Sequence, residues 1–146
     1  MIFNTNTPPF KTRQQNGKTE IWDNLRKRWI YLTPEEWVRQ NFIHHIIEVK
    51  KYPPTLIAIE REIKLYELRK RFDIVVYDRS TKPWMIVECK NENEVLSEKT
   101  LEQALRYNLV IQALYLVVTN GVNTITFYQH NKNIERIHEL PDFLVA

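Results

Sequence analysis

Residues 71–91 read RFDIVVYDRSTKPWMIVECKN, and the architecture of the chain follows from how this stretch folds. Two apolar runs, IVV and MIV, flank DRSTKP, whose Asp, Ser and Pro are turn formers. Runs that are apolar on both faces are expected of strands covered on both sides of a sheet. Paired antiparallel around that turn, Val76 faces Met85, Val75 faces Ile86 and Ile74 faces Val87. Asp73 then faces Glu88. Their Cβ atoms would lie about 4.5–5.5 Å apart, and like charges so placed destabilise a sheet unless something compensates. Side chains alternate along a strand, so Glu88 and Lys90 share a face, roughly 7 Å apart, while Cys89 points away.

A hard divalent cation is one compensation. Mg²⁺ prefers oxygen ligands, keeps several waters and is commonly held by one or two carboxylates together with substrate phosphates. It would acidify a water and neutralise phosphate charge beside a lysine that positions the attacking water. A solvated strand face or an ordinary ion pair accounts for the same letters, since E-x-K is common by chance.

Outward from this hairpin, residues 32–51, LTPEEWVRQNFIHHIIEVKK, predict a helix. Thr33 is the N-cap, Pro34 the first helical residue and Glu36 the partner in a capping box. Val38, Phe42, Ile46 and Val49, flanked by Ile43 and Ile47, form the buried stripe, and Pro53-Pro54 ends it. From Thr55 the period becomes two, with Ile57, Ile59, Ile63 and Leu65 on one strand face and Glu60, Glu62 and Lys64 on the other. Ser97 caps a second helix running to about Ala113, with Leu101, Ala104, Leu105 and Leu109 inward. The strand LYLVVT follows, ended by Asn120-Gly121, and a strand–helix–strand succession of this length implies a parallel crossover. TITFYQ reads as an edge strand. Upstream, Asn16-Gly17 marks a hairpin in a small β prelude. The expected organisation is one α/β domain: residues 1–32 as an N-terminal β extension, 33–130 as core, 131–146 as tail.

Composition removes other chemistries. Two glycines and one cysteine in 146 residues leave no phosphate-cradling loop, dinucleotide turn, intramolecular disulfide or CxxC zinc site. Histidines occur only as His44, His45, His130 and His138, with no HExxH, so any metal is expected on oxygen. A net charge of +3 and a pI near 9.0 permit a polyanionic partner without requiring one. No apolar run is long enough to span a bilayer, and the N-terminus lacks a leader pattern, so no membrane partner and a cytoplasmic location are expected.

The residues FDIVVYDRSTKPWMIVECKN resemble the D…ExK core of the restriction-endonuclease-like, PD-(D/E)xK, nuclease superfamily. With LTPEEWVRQNFIHHII, LEQALRYN and YLVVTNG in the same order, the chain more narrowly resembles the N-terminal nuclease domain of type I restriction enzyme R subunits over about residues 20–130. The resemblance implies a core of a helix, three antiparallel strands, a helix and a strand. It implies Asp73 and Glu88 as metal ligands together with the backbone carbonyl of Cys89, Lys90 as the residue that orients or activates water, and Mg²⁺, with Mn²⁺ as substitute, as cofactor. DNA is the implied substrate, with other restriction subunits or a homodimer mate as further partners.

Gln103 and Tyr107 match the QxxxY motif of some nuclease branches, and their i, i+4 spacing puts them on one helix face; an amphipathic flank explains them equally. Glu36 matches the acidic residue that the first helix contributes in related nucleases, although its cap role already accounts for it, and Glu60 matches the family's strand glutamate or a solvated face. Arg71, in the second of two RKR runs, leads into Asp73 and is placed to draw in a phosphate backbone; strand-edge solvation is the other account. Trp22, Trp29, Trp37 and Trp84 read as packing residues rather than base-stacking platforms. Phe72 stands where the family pattern has proline. Type I R subunits continue into a translocase, for which this length has no room, so the expectation is a Mg²⁺-dependent DNA endonuclease domain without a motor. The alternatives are a non-cleaving nucleic-acid-binding module and a protein-interaction module of the same fold.

Overall fold

The computed structural model describes residues 10–143. The first nine residues, where a leader was not expected, and the last three of the expected tail lie outside the described residues. The described residues form two sheets, two α-helices and a short 3-10 helix (Pro54–Leu56). Strands β1 (Thr12–Gln15), β2 (Lys18–Asp23) and β3 (Arg28–Tyr31) form an antiparallel meander. Asn16 and Gly17 turn β1 into β2 with φ of 51° and 76°, the double positive φ that a type I′ turn demands. The prelude is therefore one strand larger than the hairpin read from Asn-Gly.

Helix α1 (Pro34–Glu48) starts where its cap residues say: Thr33 Oγ1 accepts the Glu36 N–H at 3.0 Å. Val38, Phe42 and Ile46 are buried as expected, but Val49 is 64 % exposed. It sits at the C-cap, past the last turn that packs.

The main sheet has the order β4 (Ile57–Leu65), β5 (Leu68–Tyr77), β6 (Pro83–Cys89), β7 (Tyr115–Thr119), β8 (Thr124–His130) and β9 (Asn133–Ile137). Only β6 and β7 pair in parallel, joined by α2 (Glu98–Ile111). The succession of a helix, three antiparallel strands, a helix and a parallel strand is thus present. Helix α1 covers one face of the sheet, packing on Ile74, Val76, Met85, Val87 and Val117; α2 covers the other, over Phe72, Val75, Ile86, Leu116 and Val118. Burial on both faces is why the β5 and β6 runs carry no polar alternation. Among the described residues no helix is long and apolar enough to cross a membrane.

The β5–β6 register is the expected one at Ile74–Val87, Val75–Ile86 and Val76–Met85, with a shift beyond Val76 that pairs Tyr77 with Pro83. The ladder stops at Ile74. Asp73 does not continue it opposite Glu88; its carboxylate takes a backbone N–H of β6 instead.

Three further expectations are corrected. Ile57 and Ile59 pack toward α1, but Ile63 packs toward α2, and Leu65 is exposed. Glu60 carries φ +49° in the middle of β4, which breaks the simple two-residue alternation. The same change occurs across the ladder, where Phe72 faces α2 and Ile74 faces α1. In α2, Leu109 is 58 % exposed and Asn108 takes the inward position. Asn108 Nδ2 donates to the Ala113 carbonyl and its Oδ1 accepts the Ala113 N–H, both at 3.0 Å, closing the helix end at Gln112, whose φ is 60°. Lastly, TITFYQ is not an edge, because β9 pairs along it from Thr126 to His130.

Candidate active site

The switch point of β4 and β5 places the first functional side chain. Asp73 Oδ2 accepts the Cys89 backbone N–H at 2.8 Å, and Oδ1 accepts a bond from Arg39 Nη2 at 3.0 Å. The side chain thereby substitutes for the missing ladder partner and locks β5 to the end of β6. Lys90 N–H donates to the Thr119 carbonyl at 2.8 Å, toward β7. Backbone groups of successive residues alternate between strand edges, so the N–H and carbonyl of Cys89 face the β5 edge, where Asp73 lies. The Cys89 side chain is buried on the α1 side. Burial pushes its thiol well above the ordinary value, which keeps it protonated and unreactive.

Glu88 and Lys90 open on the other face, into a cavity of about 120 Å³ lined also by Lys70, Thr100, Gln103, Ala104 and Tyr107. The expected grouping of Glu88 and Lys90 with Gln103 and Tyr107 is present in this cleft. Glu88 is held unusually. Its Oε1 is buried with no hydrogen-bond partner, and Lys70 Nζ stands 3.6 Å away, close enough for an ion pair and too far for a hydrogen bond. Burial, reinforced by the charge of Asp73, pushes the Glu88 carboxyl up to about 7 against the opposing pull of Lys70 and Lys90. A carboxylate displaced this far by desolvation and a second carboxylate is typical of a functional site.

Of the Arg69-Lys70-Arg71 run, Lys70 is the residue that enters the cleft. Its ammonium lies 5.3 Å from the Phe72 ring centroid and 5.4 Å from that of Tyr107, and the two rings meet edge to face at 6.4 Å. Two cation–π contacts and Glu88 fix a cation inside the cleft. Arg71, the member of that run expected to matter, is exposed and pairs across β4 with Glu62. Lys70 shares the α2 face with Phe72, two residues on.

Glu36 also stands elsewhere than expected. Its side chain is buried and accepts bonds from Arg26 Nη2 at 3.0 Å, Arg39 Nη1 at 3.1 Å and Gln40 Nε2 at 3.0 Å. It belongs to a buried network, not to the cleft. Arg26 and Arg39 both reach Glu60 as well, at 3.3 and 3.2 Å. At the far end Asp23 receives Arg26 Nε at 2.6 Å and Gln40 Nε2 at 2.9 Å. Burial works against the charge of Asp23, yet hydrogen bonds from Arg26 and Gln40 hold its carboxyl below the usual range. The neighbouring Glu35 is the α1 carboxylate that feels the site: burial and the charge of Asp73 raise it, against Arg39 and Lys90.

Among the described residues no three His, Cys, Asp or Glu side chains gather into a metal cage. A cation here could be held by Asp73, Glu88 and the Cys89 carbonyl, leaving the remaining positions to water and phosphate. Such sparse oxygen ligation suits Mg²⁺, and the buried Glu88 oxygen that lacks a hydrogen bond is the atom that a cation would satisfy.

Comparison with known proteins puts the chain in one family. The profile of the family described as Type I restriction enzyme R protein N terminus (HSDR_N) matches residues 34–142. No curated protein sequence matches. Two solved structures resemble the fold: the type IIG restriction endonuclease BpuSI, at TM-score 0.47 and 17 % identity over 66 % of this chain, and a DUF820 protein from Anabaena variabilis, at TM-score 0.49 and 12 % identity over 92 %. The chain spans 11 % of the BpuSI chain and 84 % of the DUF820 chain.

Proposed function

Because the chain belongs to the family of type I restriction enzyme R protein N termini, we propose that it is a Mg²⁺-dependent endonuclease domain that hydrolyses DNA phosphodiester bonds. The observation that carries this reading is the buried Oε1 of Glu88, which has no hydrogen bond and only the longer ion pair with Lys70, in an open cationic cleft one residue from the backbone N–H that holds Asp73. A buried Glu88 carboxyl whose ionisation is opposed by burial and by the charge of Asp73 is explained by a divalent cation beside it and is hard to explain as part of a structural pair.

In this reading Asp73, Glu88 and the Cys89 carbonyl hold the cation. Mg²⁺, when bound, would lower the pKa of an attacking water and neutralise phosphate charge. Lys90 would orient the attacking water; as the water oxygen bonds to phosphorus the P–O bond to the leaving oxygen breaks, the water's proton passing to solvent and the leaving oxygen taking one up from it. Lys70, clamped between Phe72 and Tyr107, meets a non-bridging phosphate oxygen. Gln103 and Tyr107 line the route of the strand, offering hydrogen-bond donors to its backbone. Arg39 is a positioning residue: it holds Asp73 in the rotamer that faces β6. DNA is the substrate, and other restriction subunits are the partners that would confer sequence recognition.

Plasmid nicking with Mg²⁺ or Mn²⁺, wild type beside Glu88→Ala and Lys90→Ala, tests the reading. Metal-dependent nicking lost in both variants with the far-UV circular dichroism unchanged is the expected result. Salt-sensitive DNA binding with no hydrolysis under either metal would leave the non-cleaving module as the answer.

A further inference from the structure

The outer face of the β1–β3 sheet carries a second pattern, which the cleft does not use. Ile21 and Asp23 of β2 are buried against the body of the domain, so alternation turns Lys18, Glu20 and Trp22 outward. The register sets Arg13 and Tyr31 beside Glu20, and Trp29 beside Trp22. Trp22 and Trp29 meet edge to face at 5.5 Å. The Arg13 guanidinium lies 4.4 Å from the Trp29 ring centroid and Lys18 Nζ lies 5.3 Å from that of Tyr31. Tyr31 is 54 % exposed, and Lys27 and Arg28 stand exposed at the β2–β3 turn.

The chain order of tryptophans alone showed no interleaving of rings and cations; the sheet creates it by bringing three strands together. We propose that this face is a binding platform for single-stranded nucleic acid, separate from the cleft. Three rings offer π-faces to bases, and the cations resting on two of them meet phosphates or sandwich a base. Stacking of this kind requires unpaired bases, because bases within a duplex already stack on one another. The charge favours a polyanion: Glu20, the one acid on the face, is held by Arg13 at 2.8 Å, while Lys18 rests on a ring. No aliphatic side chain or Met stands among the outward residues, as the core of a protein interface would bring with its aromatics. The platform is also fixed. Asp23, on its inner face, is bound by Arg26, which joins Glu36 and through it Arg39 and Asp73.

The platform rests on the nuclease reading only for its link to cleavage; binding stands apart from it. Titration of the protein with oligothymidylate, followed by tryptophan fluorescence without metal, is the test. The expected result is quenching that weakens with salt, a preference for the single strand over a matched duplex, and affinity reduced at least about fivefold in both Trp29→Leu and Tyr31→Leu, the lower end of one stacked base. Tyr31 is exposed enough that its replacement leaves the fold intact. Asp73→Asn should lose nicking and retain quenching, so failure of cleavage and failure of this platform give different results. Absence of quenching, or wild-type affinity in both ring variants, would overturn the proposal. So would concentration-dependent self-association abolished by Tyr31→Glu, which would assign the face to a protein partner.

Discussion

Two clusters of charge, built from the same residue types and meeting at Asp73, are in opposite states. Behind Asp73, the network of Asp23, Arg26, Glu36, Arg39 and Gln40 is buried and dense, with nearly every carboxylate oxygen receiving a donor. In front of it, Glu88, Lys70 and Lys90 share an open cleft in which Glu88 Oε1 has no hydrogen bond and its carboxyl is pushed up to about 7. The first cluster satisfies its carboxylates, although Arg39 Nε stays buried without a hydrogen bond, and it holds structure. The second leaves a buried carboxylate oxygen without a hydrogen bond, the kind of unsatisfied partner that the proposed cation and phosphate would need.

The contrast breaks most sharply by substitution on each side. Asp73→Asn or Glu88→Gln should reduce the nicking rate on the order of a thousandfold, equivalent to about 4 kcal/mol of charge stabilisation, measured as initial rates on supercoiled plasmid. Arg39→Leu should instead unfold the protein more readily, by about 3–5 kcal/mol, because it strands carboxylates in a buried network; urea midpoints read this out. Equal loss of stability in Glu88→Gln and Arg39→Leu would erase the distinction between the clusters.

The pH dependence sharpens it further. A carboxyl raised in the folded state is protonated there while the unfolded chain has already ionised, so the folded state binds more protons between the ordinary carboxylate range and about 7. The contribution of Glu88 to stability is therefore present at low pH and lost as pH rises through 7. Urea midpoints should fall across that window in the wild type and do so less in Glu88→Gln. Nicking should rise over the same window, since cation binding needs the ionised form. The smallest effect expected is at Lys70. Lys70→Met removes a charge that lowers the Glu88 pKa, so the midpoint of the pH–rate profile should move upward, with a rate loss of about tenfold, the scale of one cation–π-anchored contact. A profile that does not move would remove Lys70 from the site.

Much of the site was legible because it lies on one hairpin. The apolar runs on either side of the DRSTKP turn set the register, and register brings Asp73 to the end of β6 and puts Glu88 and Lys90 on one face. What was not legible came from backbone irregularity. Nothing in the letters of β4 announces a left-handed Glu60, yet that residue moves Ile63 to the other face and accompanies the turn of Lys70 into the cleft. The same blindness hid β9: its hairpin turns on Asn131 and Lys132, with φ of 48° and 67°, and Asn-Lys lacks the glycine that makes such turns readable. Glu36 matched the family's helix acid and a local cap motif, but where its side chain ends depends on the rotation of α1 over the sheet, which delivers it to Arg26, Arg39 and Gln40.

By itself the sequence determined the alternation of elements, the two helix starts, the β5–β6 register and the presence of two carboxylates and a lysine in one short stretch, since all of these follow from contacts between near neighbours. The tertiary structure alone decided which charges are satisfied. Whether a carboxylate is neutralised or left wanting depends on partners distant in the chain, Arg39 for Asp73 and Lys70 for Glu88, and on how much water packing removes from each. Desolvation is a property of the assembled fold, and it separates the structural network from the cleft.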